Sequence, residues 1–250
     1  MSIITVEEYD AVVFDMDGVI TDTATVHAAA WKRTFDAFLA AWSAEHSITQ
    51  APFDESDYLK YVDGKHRDDG VESFLASRTI ALPRGLPTDS PDRESIWGLA
   101  NRKNCDFQHA LAEHGVHAFP SSVDFVRRLQ RVGIGTAIIS ASRNCQQVLA
   151  IAGISDLFAV RVDGIETEQL LLPGKPSPAV FIEAARRLGA LPERTVVVED
   201  AIAGVEAGRA GGFALVIGVD RTGQADDLRA HGADLVVCDL GELCVGRRDG

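Results

Sequence analysis

Short apolar runs recur along the chain, and a helix-like mixed stretch follows most of them. Ala11-Val12-Val13-Phe14, Thr136-Ala137-Ile138-Ile139, Thr195-Val196-Val197-Val198 and Ala214-Leu215-Val216-Ile217 read as strands, with Leu235-Val236-Val237 expected as the last. They are nearly continuous in apolar character rather than alternating, which suits a parallel sheet covered on both faces. Segments 121–132, 143–152, 177–189 and 202–211 read as the helices between them. Ser177 is placed as an N-cap, with Pro178 at the first helical position. Strand–helix alternation of this kind predicts a doubly wound α/β domain with a mainly parallel sheet.

One stretch breaks the rhythm. Between about residues 24 and 112 no buried strand is expected. Instead Trp31, Phe35, Phe38, Leu39 and Trp42 fall at i, i+4, i+7, i+8 and i+11, one stripe of a long amphipathic helix. Further helical patterns lie around 68–78 and 92–113, separated by a loop from Pro83 to Pro91. The expected organisation is a core of residues 1–23 and 113–250, interrupted by an all-helical domain over 24–112. Hinges are placed near 22–24 and 113–121.

Composition narrows the class. The chain has 250 residues, 46% of them hydrophobic and 24% charged, as globular proteins do. Its formal net charge of −13 argues against a nucleic-acid or anionic-membrane binder. It leaves phosphate chemistry open, because a few cations can reverse the sign inside one cleft. Cys105, Cys145, Cys238 and Cys244 are far apart, with no C-x-x-C pair, and reduced thiols are expected. No segment approaches the roughly 18 apolar residues of a membrane span, and residues 1–10 lack a signal-peptide core. A cytoplasmic protein is expected. The chain ends soon after its last strand, at Arg247-Arg248-Asp249-Gly250, which leaves open that it is one piece of a longer polypeptide.

The candidate chemistry sits at strand ends. Asp15 and Asp17 follow the first apolar run, two residues apart and so expected on one side, and Gly18 permits a tight turn. Alone, this is as easily an ordinary Asp-x-Asp-Gly turn. The other ends change the balance. Ile139 leads into Ser140-Ala141-Ser142-Arg143-Asn144, whose hydroxyls and backbone N–H groups would open a helix as a phosphate cradle. Val198 leads into Glu199-Asp200, which with Asp15 and Asp17 make a hard oxygen site of the kind Mg²⁺ prefers. Lys175, in Gly174-Lys175-Pro176, could neutralise a phosphate, although any single loop lysine is more often solvated.

Asp15-x-Asp17-Gly18-Val19-Ile20-Thr21-Asp22, Ser140-Ala141-Ser142, Lys175-Pro176 and Glu199-Asp200 resemble the four ordered motifs of the haloacid dehalogenase superfamily. The helical insertion resembles that superfamily's C1 cap, and the sequence is most similar to the β-phosphoglucomutase group. The resemblance implies that Asp15 is the nucleophile and that Asp17 is the acid/base, its backbone carbonyl also binding Mg²⁺. It implies further that Ser140 and Lys175 hold the transferring phosphoryl group and that Glu199 and Asp200 complete the metal site.

Finer features resemble the mutase group. Thr23 and His27 open the cap helix where the group carries Thr and His, although His27 could simply pack against Trp31, one turn on. Arg102-Lys103-Asn104 resembles a cap triplet, which makes Lys103 a candidate substrate contact. Gly64-Lys65-His66-Arg67 resembles the substrate-specificity loop, where Arg67 would grip a second phosphate bidentately. Ser142-Arg143-Asn144 resembles the group's second phosphate site, with Arg in place of its Lys, and Ala141 beside it is a further candidate substrate contact. Asp63 and Gly70 depart from the loop's Lys and Ser. The implied activity is a Mg²⁺-dependent β-phosphoglucomutase acting through an aspartyl phosphate on a small phosphorylated sugar, as a monomer. A sugar-phosphate phosphatase, acting on a hexose or a disaccharide phosphate such as trehalose phosphate, shares every core residue. A non-catalytic regulatory member of the fold is the third alternative.

Overall fold

The computed structural model of the protein describes residues 3–246. The chain end from Arg247 to Gly250 lies outside the described residues. The first elements are β1 (Ile3–Thr5), β2 (Ala11–Asp15), α1 (Thr23–His46), the single turn α2 (Glu55–Asp57), a π-helical turn (Tyr58–Val62), α3 (Arg67–Ser77) and α4 (Ile96–His114). There follow α5 (Pro120–Val132), β3 (Gly135–Ile139), α6 (Cys145–Ile151), β4 (Val160–Val162), α7 (Gly164–Gln169) and α8 (Ala179–Arg187). The last are β5 (Thr195–Glu199), α9 (Ile202–Ala210), β6 (Leu215–Val219), α10 (Ala225–Ala230), β7 (Leu235–Val237) and β8 (Cys244–Gly246). The chain divides into two compact units, one running to Asp22 and resuming at Val116, the other spanning Thr23–Gly115.

The first unit is the expected α/β fold. Its main sheet has six strands in the order β4-β3-β2-β5-β6-β7, every neighbouring pair parallel. From β2 the chain steps outward through β3 to β4, then returns to lay β5 on the other side. β2 therefore stands at the switch in strand order, where a ligand crevice opens beyond the carboxyl ends of the strands. The register brings those ends level, with Asp15 beside Ile139 and Phe14 beside Val198. Val12, Val13, Phe14, Ile138, Ile139, Val197 and Val198 are fully buried, which is why these runs carry no polar alternation. Among the helices, α5 shows its origin well: Pro120 opens it, Val123, Phe125, Val126 and Leu129 form its buried face, and Gly133 at φ 91° ends it.

Several local expectations need correction. The helix expected from Ser177 begins at Ala179, with Pro178 as its cap residue and Ser177 one place further out. The reason is a separate turn in which Ser177 N–H donates to the Gly174 carbonyl at 3.0 Å. The Ser177 hydroxyl still accepts from Ala179 N–H at 3.4 Å. The helix expected over 143–152 is confined to Cys145–Ile151. Three short strands were not anticipated. β4 contains the polar Arg161, and β1 and β8 pair with each other in a separate parallel sheet.

The second unit is all-helical, and the aromatic stripe of α1 is its core. Phe35 packs on Trp31, Phe53 and Phe74 at ring-centroid distances of 5.0, 5.1 and 4.1 Å. Ser95 caps α4 by accepting from Gly98 N–H at 3.0 Å, and its own hydroxyl donates to the buried Asp89 at 2.6 Å. That contact pins the Pro83–Pro91 loop to the helix it precedes. No helix among the described residues is long and apolar enough to cross a membrane.

Candidate active site

The chain leaves β2 at Asp15 and closes at once into a tight loop. Met16 carbonyl accepts from Ile20 N–H, Thr21 N–H and the Thr21 hydroxyl at 3.0, 3.0 and 3.2 Å, and Gly18 N–H donates to Thr21 carbonyl at 2.8 Å. Gly18 is required twice over. Its φ of 76° favours glycine, and a Cβ there would collide with the Asp200 carboxylate. The two aspartates end in different surroundings. Asp15 is buried, and its Oδ1 accepts from Lys175 Nζ at 2.6 Å while its Oδ2 accepts from Asp17 N–H at 3.0 Å. Asp17 is only half-buried, and its Oδ2 accepts from the Ser140 hydroxyl at 3.3 Å.

Neighbouring strand ends supply the rest. After β3, Ser140 Oγ accepts from Ser142 N–H and Ser142 Oγ from Asn144 N–H, both at 3.1 Å. Residues 140–144 thus form a hydroxyl-braced loop that leads into α6, whose first residue is Cys145 and whose cap residue is Asn144. Ala141 is half-buried in this loop, and the Arg143 guanidinium lies 3.7 Å from Glu168 at the surface. Lys175 is buried rather than solvated, and it also donates to Glu199 Oε1 at 2.7 Å. Glu199, wholly buried at the end of β5, accepts from Asp200 N–H through Oε2 at 3.1 Å. A Cβ on Gly204 of α9 would run into the Glu199 side chain, so a glycine makes room for this carboxylate. The structure therefore gathers Asp15, Asp17, Ser140, Lys175, Glu199 and Asp200 at one edge of the sheet.

Within the helical unit the other candidates form smaller groups. Thr23 is buried at the start of α1. His27 Nδ1 is bonded to Lys103 Nζ, and its ring stacks on Phe107 at 4.1 Å. Lys103 is itself buried, its ammonium 5.0 Å from the Trp31 ring centre and 5.1 Å from that of Phe107. Gly64 turns the chain at φ 68°, Lys65 Nζ donates to Ser73 Oγ at 3.1 Å, and Arg67 opens α3 with its guanidinium 5.8 Å from the Trp97 ring.

Residues 9–212 match the family model for haloacid dehalogenase-like hydrolases. The chain belongs to that family. It falls in the β-phosphoglucomutase-like group: a β-phosphoglucomutase of Mycobacterium bovis is 46% identical over 241 residues, covering 95% of this chain and 92% of that protein. A solved β-phosphoglucomutase structure from Clostridium difficile superposes with a TM-score of 0.71 at 25% identity, over 94% of this chain and 92% of that one. A trehalose-phosphate phosphatase of Mycobacterium leprae is 46% identical over 133 residues, 52% of this chain and 29% of its own length.

The electrostatics of this haloacid dehalogenase-like site follow from burial. Loss of water raises the Asp15 carboxyl above its ordinary range. Lys175 pulls it back, Asp17 pushes it up again, and the net direction is upward. Burial alone would lower the Lys175 ammonium, but Asp15 and Glu199 outweigh it and hold the group protonated far above neutral pH. Asp15, Glu199 and Asp200 each present an oxygen, all within 4.8 Å of one another. This acidic set suits a hard divalent cation. Sequence reasoning passed over Arg221 in the loop after β6, whose Nε donates to the Gly18 carbonyl at 3.1 Å. No local motif marks it, and the family match ends before it.

Proposed function

We propose that the protein is a Mg²⁺-dependent sugar-phosphate phosphotransferase working through an aspartyl phosphate, and specifically a β-phosphoglucomutase converting β-glucose 1-phosphate to glucose 6-phosphate. The observation that carries this reading is the division of labour between the two aspartates. Asp15 lies buried against an ammonium, while Asp17 meets a hydroxyl two residues on. A carboxylate held in place by Lys175 is suited to attack phosphorus, forming the Asp15–phosphorus bond as the bond to the leaving sugar oxygen breaks. Asp17 is suited to give that oxygen its proton and then to take one from the incoming hydroxyl. Ser140 and Lys175 would hold the phosphoryl oxygens. Mg²⁺ held by Asp15, Asp17, Glu199 and Asp200 would supply charge neutralisation at the phosphate.

The substrate assignment draws on the near full-length similarity to a mycobacterial β-phosphoglucomutase. Thr23, His27, Gly64, Lys65, Arg67 and Lys103 of the helical unit, with Ala141, Ser142, Arg143 and Asn144 of the core, are the proposed substrate contacts. A phosphohydrolase acting on a sugar phosphate is the second reading, favoured by the partial match to a trehalose-phosphate phosphatase. The two differ in what takes the phosphoryl group from Asp15, the reoriented sugar or water. Incubation with Mg²⁺, β-glucose 1-phosphate and a trace of the bisphosphate separates them. Glucose 6-phosphate is expected, and release of inorganic phosphate without it would overturn the mutase assignment.

A further inference from the structure

The loop from Asp15 to Thr21 has its carbonyls engaged almost one by one. Those of Met16 and Thr21 are taken by the loop's own donors, and that of Ile20 accepts from Phe119 N–H at 2.9 Å. The Val19 carbonyl accepts from the Ser122 hydroxyl at 2.7 Å. The Gly18 carbonyl accepts from Arg221 Nε at 3.1 Å. Arg221 is well anchored for the purpose. Its Nη1 donates to the Cys238 carbonyl at 3.0 Å, and its guanidinium carbon lies 4.0 Å from the centre of the Phe119 ring. The loop that carries it is fixed by Asp220 Oδ1, which accepts from Thr222, Gly223 and Gln224 N–H at 3.1, 2.7 and 2.8 Å.

We propose that Arg221 is a positioning residue for the phosphotransfer site, clamping the Gly18 peptide and thereby the aim of Asp17. Position 18 must be glycine because the Asp200 carboxylate fills the space a side chain would need. Glycine, however, leaves the peptide beyond it free to rotate. The carbonyl held by Arg221 belongs to the Gly18–Val19 peptide, and the Asp17–Gly18 peptide before it is held by Gly18 N–H donating to Thr21 carbonyl at 2.8 Å, so with both peptides fixed Gly18 cannot turn and the chain keeps its course from Asp17 into the loop. Arg221 removes this freedom from outside, from a loop that otherwise contributes nothing to the cluster. The guanidinium fork holds the Gly18 and Cys238 carbonyls together, which a single ammonium could do only in part.

The proposal rests on the phosphotransferase reading, and its test uses Arg221→Ala and Arg221→Lys in the full chain. Turnover of β-glucose 1-phosphate, Mg²⁺ binding by calorimetry and the thermal midpoint are followed together. In Arg221→Ala, kcat is expected to fall about 10- to 100-fold, with KM within about threefold and Mg²⁺ binding weakened about tenfold. Arg221→Lys should recover part of both, because one donor still reaches Gly18. Wild-type kcat and Mg²⁺ binding in Arg221→Ala would overturn the proposal. So would a Lys variant as impaired as the Ala variant, with losses that follow the fall in thermal midpoint. If wild type turned over no sugar phosphate, the functional reading would fail instead, and the Mg²⁺ calorimetry would still decide the role of Arg221.

Discussion

Replacing Lys175 by Met keeps an unbranched apolar stem in place while removing the charge that sits between two buried carboxylates. The ammonium lies 2.6 Å from Asp15 and 2.7 Å from Glu199, and the three side chains are 3%, 8% and 0% exposed. Breaking a buried pair by removing one partner costs about 3–5 kcal/mol, because the remaining charge is left uncompensated. At about 2–4 °C per kcal/mol for a domain of this size, the thermal midpoint should fall by roughly 6–20 °C.

The pH dependence gives the prediction its sign. The folded-state pKa of Lys175 is raised above its unfolded 10.5, so the stability it contributes is fully present below 10.5 and lost only as pH rises through the folded value. Between pH 5 and 8 the wild-type contribution of Lys175 is therefore constant. In the Met variant the carboxylates lose their counter-charge, and the Asp15 pKa, already raised by burial, moves further up. A carboxyl with a raised folded pKa destabilises the fold as pH rises through that pKa, so acidification relieves the variant. The stability difference between variant and wild type should be largest near pH 8 and shrink towards pH 5. Thermal scans in EDTA across that range measure it. A difference below about 1 kcal/mol that did not vary with pH would refute the reasoning, since that is how solvated surface pairs behave.

Asp15→Asn should lower phosphotransfer by on the order of 10³-fold or more and lack the phospho-adduct that intact-protein mass spectrometry is expected to find on the wild type. Its thermal midpoint should be unchanged or raised, because the Lys175–Glu199 pair survives and a carboxyl disfavoured by burial is gone. Gly18→Ala should lose activity by on the order of 100-fold and stability by about 1–3 kcal/mol, measured by turnover and urea midpoint, since it meets both a positive φ and the Asp200 carboxylate. In the helical unit, Phe35→Ala should cost about 3–5 kcal/mol in urea unfolding, because its ring contacts Trp31, Phe53 and Phe74 at once.

What the sequence revealed and what it hid have one physical origin. Runs such as Val12-Val13-Phe14 and Val196-Val197-Val198 are legible because a strand buried on both faces has to be apolar throughout. Once the strands are parallel and in register, the residues after each run are carried to the same edge. Asp15, Ser140 and Glu199 could therefore be grouped from spacing in the chain alone. The burial of Lys175 was not legible, because a lysine in a Gly-Lys-Pro loop looks the same whether it is solvated or clamped. Arg221 was less visible still. It acts on Gly18 across 203 residues of chain, and only packing joins them. Length alone does not hide a strand, since the three-residue β7 was legible as an apolar run; β4 was hidden by Arg161 at its centre, and β1 and β8 by lying outside the strand–helix repeat of the main sheet.

The balance of charge links the acidic composition to the proposed chemistry. A chain of formal charge −13 has no general attraction for a phosphate, so the site must create its own. Asp15, Asp17, Glu199 and Asp200 bring four formal negative charges, and Lys175 brings one positive. Four minus one leaves three, of which a divalent cation would neutralise two. The buried lysine by itself holds the carboxylates together but leaves the cluster repelling an anion, so on this reading phosphate can approach Asp15 only after a cation has bound. The same balance explains why Lys175 sits between Asp15 and Glu199 rather than free in the loop. There it opposes the protonation of Asp15 that burial favours. The charge of Arg221 is answered outside this cluster, by Asp239 at 3.5 Å, while its bond to the cluster's loop goes to a backbone carbonyl. That separation between groups that set the charge and a group that sets the aim allows the two to be tested by different substitutions.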